Sequence, residues 1–332
     1  MYCPRLDHFV RLNSNGSVSR CGHMIDNKSF KDYESLESSE WLSNIKKKME
    51  YNQWPSECIR CQQSEHTKSE SVRTNSIARD KILKSFRDDY LVVGGVLDNV
   101  CNSACQTCNA NLSTKIGALE HGKDYPRIDN YELFKKLPQD RIVEFDVNGG
   151  EPTASKNYKS YLKELPKNVK IVRMNTNGSR VIEEIIDILD KGTMVIITFS
   201  LDGIGSVHDY VRWPILWSKY IQNLQVYKDI QKKYKLLKID MWTTVSCLNI
   251  SDLPNIIKFA KDQGIPHDWA YLRNPSVLSV RHKNRFTSNA HSFDSKHIAV
   301  GDDNSEELDA FIKRQDRVRG IDINDYLNLL PN

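Results

Sequence analysis

Residues 91–110 read LVVGGVLDNVCNSACQTCNA. The first eight, Leu91 to Asp98, form an apolar run of strand length. Just past it lie three cysteines, Cys101, Cys105 and Cys108, with unequal gaps of three residues and then two. A structural zinc site closes with four protein ligands, and no histidine or fourth cysteine follows nearby. A thioredoxin-type pair needs Cys-x-x-Cys at a helix start and leaves Cys101 without a role. Three thiolates on one loop suit a cubane iron–sulfur cluster, which keeps one iron open for another ligand. A zinc site shared with the cysteines of residues 1–61 is the competing use.

Working outward, the strand rhythm recurs in IVEFDVN (142–148), VKIVRMNT (169–176), MVIITFSL (194–201), KIDMWTTVS (238–246) and HDWAYL (267–272). Amphipathic stretches lie between them: TASKNYKSYLKELP, SRVIEEIIDILDKG, WSKYIQNLQVYKDIQKKY and DLPNIIKFAKDQG. The last has Asp252 near its start and Gly264 past its end, as a helix requires. This alternation predicts an α/β fold with a parallel sheet under covering helices. About six βα units make an open twisted sheet or a partial barrel. Both fold types place active sites at the carboxyl ends of strands, which is where the cysteine loop falls.

The second strand ends in NGGEP, Asn148 to Pro152. Cys-x-x-x-Cys-x-x-Cys after a first strand, then Gly-Gly-Glu-Pro after the second, resembles the radical S-adenosylmethionine (SAM) enzymes over residues 91–275. The resemblance implies a partial (βα)6 barrel and a 4Fe-4S cluster on Cys101, Cys105 and Cys108. It also implies SAM bound at the open iron and cleaved reductively to a 5′-deoxyadenosyl radical, which abstracts hydrogen from a substrate. Gly149, Gly150, Glu151 and Pro152 then approach the methionyl amino group. Glycines admit close backbone contact, and a carboxylate meets an ammonium. The third strand runs into NTNG (Asn175 to Gly178) and the fourth into FSLDG. There Ser200 and Asp202 match positions that face the ribose hydroxyls, and alternate strand residues share a face. His208, Asp209 and Arg212 match the His-Asp…Arg pattern of peptide-modifying relatives, with Arg212 as a SAM contact. A helix-start salt bridge is their other use. Thr243, Val245 and Leu272 are weaker matches to an adenine wall and read first as core packing. Thr107 stands where many relatives carry an aromatic residue.

Cys3, Gly16 and Cys21, followed by Cys58 and Cys61, make a second set. Four thiolates complete a first shell that zinc and an iron–sulfur cluster both accept. The arrangement looks like the twitch, or shortened SPASM, auxiliary-cluster domain, standing before the barrel instead of after it. That likeness implies a second iron–sulfur cluster; zinc stays open as the alternative. His8 and His23 lie nearby and read as exposed histidines rather than ligands.

The chain has 332 residues, 39% of them hydrophobic, and a formal charge of +4 from 47 Lys and Arg against 43 Asp and Glu. Charges of both signs are mixed, so a nucleic-acid partner is not indicated. No apolar run reaches membrane-spanning length, and MYCPRLDHFVRLN has no secretory apolar region. The expectation is a cytoplasmic protein whose cysteines serve metal or redox chemistry. Cys247, in a strand-like stretch, reads as a buried structural thiol. The expected division is an auxiliary-cluster module (1–70), a connector helix (71–90), a radical SAM core (91–275), and a C-terminal loop with helices that plug the barrel (276–332). The resemblance implies an oxidoreductase or modifying enzyme acting on a peptide or protein side chain or on a small molecule. Flavodoxin or ferredoxin would supply its electron. A non-catalytic, zinc-stabilised binding protein is the alternative.

Overall fold

The computed structural model describes residues 1–280 and 305–327. Most of the expected C-terminal loop (280–305), and the last residues of INDYLNLLP, lie outside the described residues. The strands are β1 (Phe9–Leu12), β2 (Val18–Ser19), β3 (Leu91–Gly95), β4 (Ile142–Val147), β5 (Ile171–Thr176), β6 (Met194–Ser200), β7 (Leu237–Val245) and β8 (His267–Tyr271). They form one open sheet in the order β2-β1-β3-β4-β5-β6-β7-β8. Neighbours from β1 across to β8 are parallel, and only the short β2 runs antiparallel to β1. The six strands expected from sequence are β3 to β8, and helices fall in each interval where one was expected.

The pleat explains how these sequences serve a barrel wall. On β6, Val195, Ile197 and Phe199 are fully buried while the residues between them are half-buried. The buried set faces the covering helices: Phe199 packs edge-on against Tyr220 and Tyr227 of the helix Trp217–Lys233. Phe145 of β4 packs with tilted rings against Tyr158 and Tyr161 of the helix Lys156–Lys163. The alternate residues face the concave side.

The concave side is filled from below by the connector helix Val72–Phe86, not by the C-terminal helix. Its Leu83 packs with Phe9, Tyr90, Val92, Val143 and Ile171. Its Arg79 pairs with the fully buried Glu144 of β4, which also accepts from Arg173 of β5 at 2.9 Å. The helix Ser305–Arg319 docks its Leu308 and Ile312 against Tyr210, Val211, Cys247 and Leu248, in the segments that follow β6 and β7. Cys247 is buried there, as expected.

Strand β1 lies on the free edge of β3, and Val10, Leu12, Leu36 and Leu42 share one apolar core with Leu91, Val93 and Phe145. Residues 1–50 therefore extend the barrel wall. No helix among the described residues is long and apolar enough to cross a membrane.

Candidate cofactor site

The cysteine loop leaves β3 and is fastened at every turn. Asp98 accepts from the Val100 amide at 3.0 Å and from the Ser155 hydroxyl. Ser113 donates to the Ser103 carbonyl at 2.7 Å. The amides of Ala104 and Gln106 donate to the carbonyls of Trp213 and Val211, at 2.7 and 2.9 Å. Asn177, past the end of β5, donates to the Asn102 side chain at 2.9 Å. The three thiols are gathered on this loop; Cys105 is buried and Cys101 and Cys108 are partly so. Burial, then the neighbouring Cys105 thiol, pushes Cys101 up to about 11; burial and then Cys105 and Cys101 push Cys108 up to about 12.

The Gly-Gly-Glu-Pro turn rests directly on this loop. The Glu151 amide donates to the Val100 carbonyl at 2.7 Å. Gly150 adopts φ +62°, and a Cβ there would lie 2.5 Å from the same carbonyl oxygen. Only glycine permits both the left-handed backbone and the approach. The Glu151 side chain is fully buried and already engaged. One oxygen accepts from the Thr153 amide and hydroxyl and from the Thr176 hydroxyl; the other accepts from the Asn177 amide at 2.7 Å. Burial raises its pKa against the pull of these donors. In this structure its carboxylate bolts the turn to the end of β5.

Asp202 is likewise engaged. It accepts from the Thr244 amide at 2.8 Å and from Arg212 Nη1 at 2.9 Å. Arg212 lies between this carboxylate and the cysteine loop. Burial works to lower its pKa, but the nearby Cys105, Asp202 and Cys101 outweigh burial and raise it. Its Nε is buried and has no hydrogen-bond partner. Ser200 sits half-buried at the end of β6. Asp209 accepts from the Trp217 amide and so caps the helix Trp217–Lys233. His208 is buried against Trp217 and Tyr220 with both ring nitrogens unpartnered. Thr243 and Val245 are fully buried in the core.

The four N-terminal cysteines, far apart in sequence, come together. Cys3, Cys21, Cys58 and Cys61 line one cavity of about 360 Å³, its mouth included. Burial, then the other thiols, pushes Cys58 up to about 12. Burial likewise pushes Cys3 up to about 12. His23 lines the same cavity, whereas His8 bonds to the Tyr90 carbonyl at 3.0 Å and stacks on its ring. Among the described residues no three His, Cys, Asp or Glu side chains converge on a single-ion site.

One contributor was not read from sequence. Arg319, at the end of the helix Ser305–Arg319, is buried and donates from Nε to the Ala104 carbonyl at 2.8 Å and from Nη2 to the Cys105 carbonyl at 3.4 Å. A basic residue in a last helical turn is common, so its spacing alone carried no signal.

Residues 97–260 match the model of the Radical SAM superfamily. Pre-heme d1 synthase of Dinoroseobacter shibae is 23% identical over 185 residues, covering 56% of this chain and 43% of that protein. Among solved structures, anSMEcpe with bound AdoMet is 19% identical, with a TM-score of 0.44 over 58% of this chain and 56% of that one. SuiB of Streptococcus suis bound to its precursor peptide SuiA is 14% identical, with a TM-score of 0.41 over 82% and 63%. The chain thus spans less than two thirds of the length of each of these proteins.

Proposed function

We propose that this chain is a radical SAM enzyme, modifying a peptide or protein side chain or oxidising a small molecule. One observation carries the reading: the Gly-Gly-Glu-Pro turn is seated on the three-cysteine loop at the strand ends, through the Gly150–Val100 approach and the Glu151 amide. The donor set suits a 4Fe-4S cluster, with Cys101, Cys105 and Cys108 each holding one iron. A reduced cluster held by these three cysteines would supply the electron for reductive cleavage of SAM.

The remaining work falls to the protein. Gly149 keeps a side chain out of the space beside Val96, Gly150 keeps one away from the Val100 carbonyl, and Glu151 holds the turn with Pro152 against the end of β5 through Thr176 and Asn177. Arg212, desolvated and with a spare Nε–H, presents positive charge beside the cysteine loop, suited to a carboxylate. Asp202 fixes that guanidinium, and Ser200, two residues before it at the end of β6, offers a hydroxyl.

We read Cys3, Cys21, Cys58 and Cys61 as the ligands of a second iron–sulfur cluster in a twitch-like segment, supported by their shared cavity. Zinc would require the four thiols to close on one centre with Zn–S near ~2.3 Å. The electron donor is of the flavodoxin or ferredoxin kind.

Anaerobic reconstitution with iron and sulfide tests both sites. The expected result is a brown protein with about eight irons per chain, or about four with the triad replaced by alanine. A colourless protein holding stoichiometric zinc would instead support the zinc-stabilised binding protein.

A further inference from the structure

A cavity of about 850 Å³, open mouth included, lies between the N-terminal cysteines and the ends of β3 and β4. It reaches Asn148 and Gly149 of the Gly-Gly-Glu-Pro turn. Its walls follow from strand register. Arg11 of β1 pairs with Gly94 of β3, and Gly94 pairs with Asp146 of β4. Paired residues point to the same face, so Arg11 and Asp146 look into one cavity, with Gly94 between them in the sheet and the edge of the Phe9 ring over that glycine. Two strand spacings separate them by roughly 10 Å, too far for an ion pair.

Neither group is therefore spent on the other. Arg11 is largely buried, and no hydrogen bond or ion pair holds its guanidinium among the described residues. Asp146 accepts no hydrogen bond there either. The neighbouring Arg5 is differently placed: its guanidinium lies 3.7 Å over the Phe9 ring and donates toward the Cys21 sulfur. Among the described residues the one group that favours the Arg11 charge is the Cys21 sulfur, and Arg5 opposes it, so a ligand anion would relieve the cost of burying Arg11.

We propose that this cavity is the substrate site and that it takes an anionic substrate, with Arg11 binding a carboxylate or phosphate group. Asp146, across Gly94, accepts from a donor group on the same molecule. The proposal rests on the radical SAM reading for what happens next, but not for the binding itself.

The test is calorimetric titration of the reconstituted full chain, at low salt, with glutarate, with inorganic phosphate, and with neutral glutaramide. Glutarate or phosphate should bind while glutaramide does not, and the tighter of the two names the anion. Arg11→Gln should weaken that binding at least about tenfold, and Arg11→Lys should retain more of it. Equal melting temperatures across the three proteins show that the variants fold. Absence of anion binding, or equal binding by Arg11→Gln, overturns the proposal. So does a loss of metal from the N-terminal site in Arg11→Gln with anion binding unchanged, which makes Arg11 a partner of Cys21 alone. The unmutated preparation is also assayed for 5′-deoxyadenosine. Anion binding without it defeats the radical reading and leaves the anion site standing; 5′-deoxyadenosine without anion binding does the reverse.

Discussion

Arg319 Nε donates to the Ala104 carbonyl at 2.8 Å, joining the helix Ser305–Arg319 to the middle of the cysteine loop across 215 residues. Arg319 also reaches the Cys105 carbonyl, so a single buried cation steadies the peptides on both sides of Cys105. Losing a charged donor to buried carbonyls costs about 1.5–3 kcal/mol. Arg319→Gln should lower the melting temperature and lose iron from the triad while the N-terminal site keeps its metal. Arg319→Lys should recover part of both. Metal analysis of proteins with the other site removed reads this directly; equal iron in wild type and Arg319→Gln would show that the loop holds itself.

Gly150→Ala should be far more damaging than Gly122→Ala. Both glycines have positive φ, but a Cβ at Gly122 meets nothing within 4 Å, whereas at Gly150 it strikes the Val100 carbonyl. Backbone strain of about 1–3 kcal/mol falls on each, Gly122 having the more glycine-restricted backbone at φ 95°, ψ 169°. The clash falls only on Gly150 and pushes the turn off the cysteine loop. Equilibrium SAM binding should drop at least tenfold in Gly150→Ala and stay near wild type in Gly122→Ala. Matching affinities would detach the turn from SAM.

His208 gives the stability a pH signature. Burial, then the Arg212 charge, pushes its pKa down to about 3, against about 6.5 in an unfolded chain. Between those values the unfolded state holds a proton that the native state lacks. Stability is thus full above about pH 6.5 and falls as pH drops, by up to about 1.4 kcal/mol per unit. His208→Leu removes this dependence and two unpartnered nitrogens. Thermal melts from pH 7 downward should therefore fall more steeply for wild type. Parallel curves would mean that His208 is protonated in the folded protein.

The N-terminal thiols should be separable from SAM cleavage. Cys58→Ala/Cys61→Ala should lose the metal of the N-terminal site and still form 5′-deoxyadenosine, because the triad loop is fastened by Ser113, Asn177 and Arg319 rather than by residues 1–70. Loss of 5′-deoxyadenosine in a protein that melts normally would place the second metal within the cleavage step.

What the sequence disclosed follows from where its signals are local. Strands β3 to β8 announce themselves by apolar runs between amphipathic helices, and the triad and NGGEP by short spacing. The gathering of Cys3, Cys21, Cys58 and Cys61 was legible because four thiols suggest one shell. The side-chain partners were not. Glu151 reads as a carboxylate awaiting an ammonium, yet Thr153, Thr176 and the Asn177 amide reach it first. Asp202 reads as facing a ribose, yet Arg212 and the Thr244 amide hold it. Those contacts depend on how neighbouring strand ends meet, which no single stretch encodes. Strand β1 is only four residues long, and its place beside β3 is a long-range pairing. The helix Val72–Phe86 looks like a polar connector because Arg79 is a partner for Glu144, a carboxylate 65 residues away.

The central claim is tested most directly by dithionite-dependent formation of 5′-deoxyadenosine from SAM by the anaerobically reconstituted protein. The account predicts 5′-deoxyadenosine and methionine in equal amounts from the wild-type chain, and none from Cys101→Ala/Cys105→Ala/Cys108→Ala. A fully iron-loaded wild-type protein that binds SAM and releases no 5′-deoxyadenosine would contradict it.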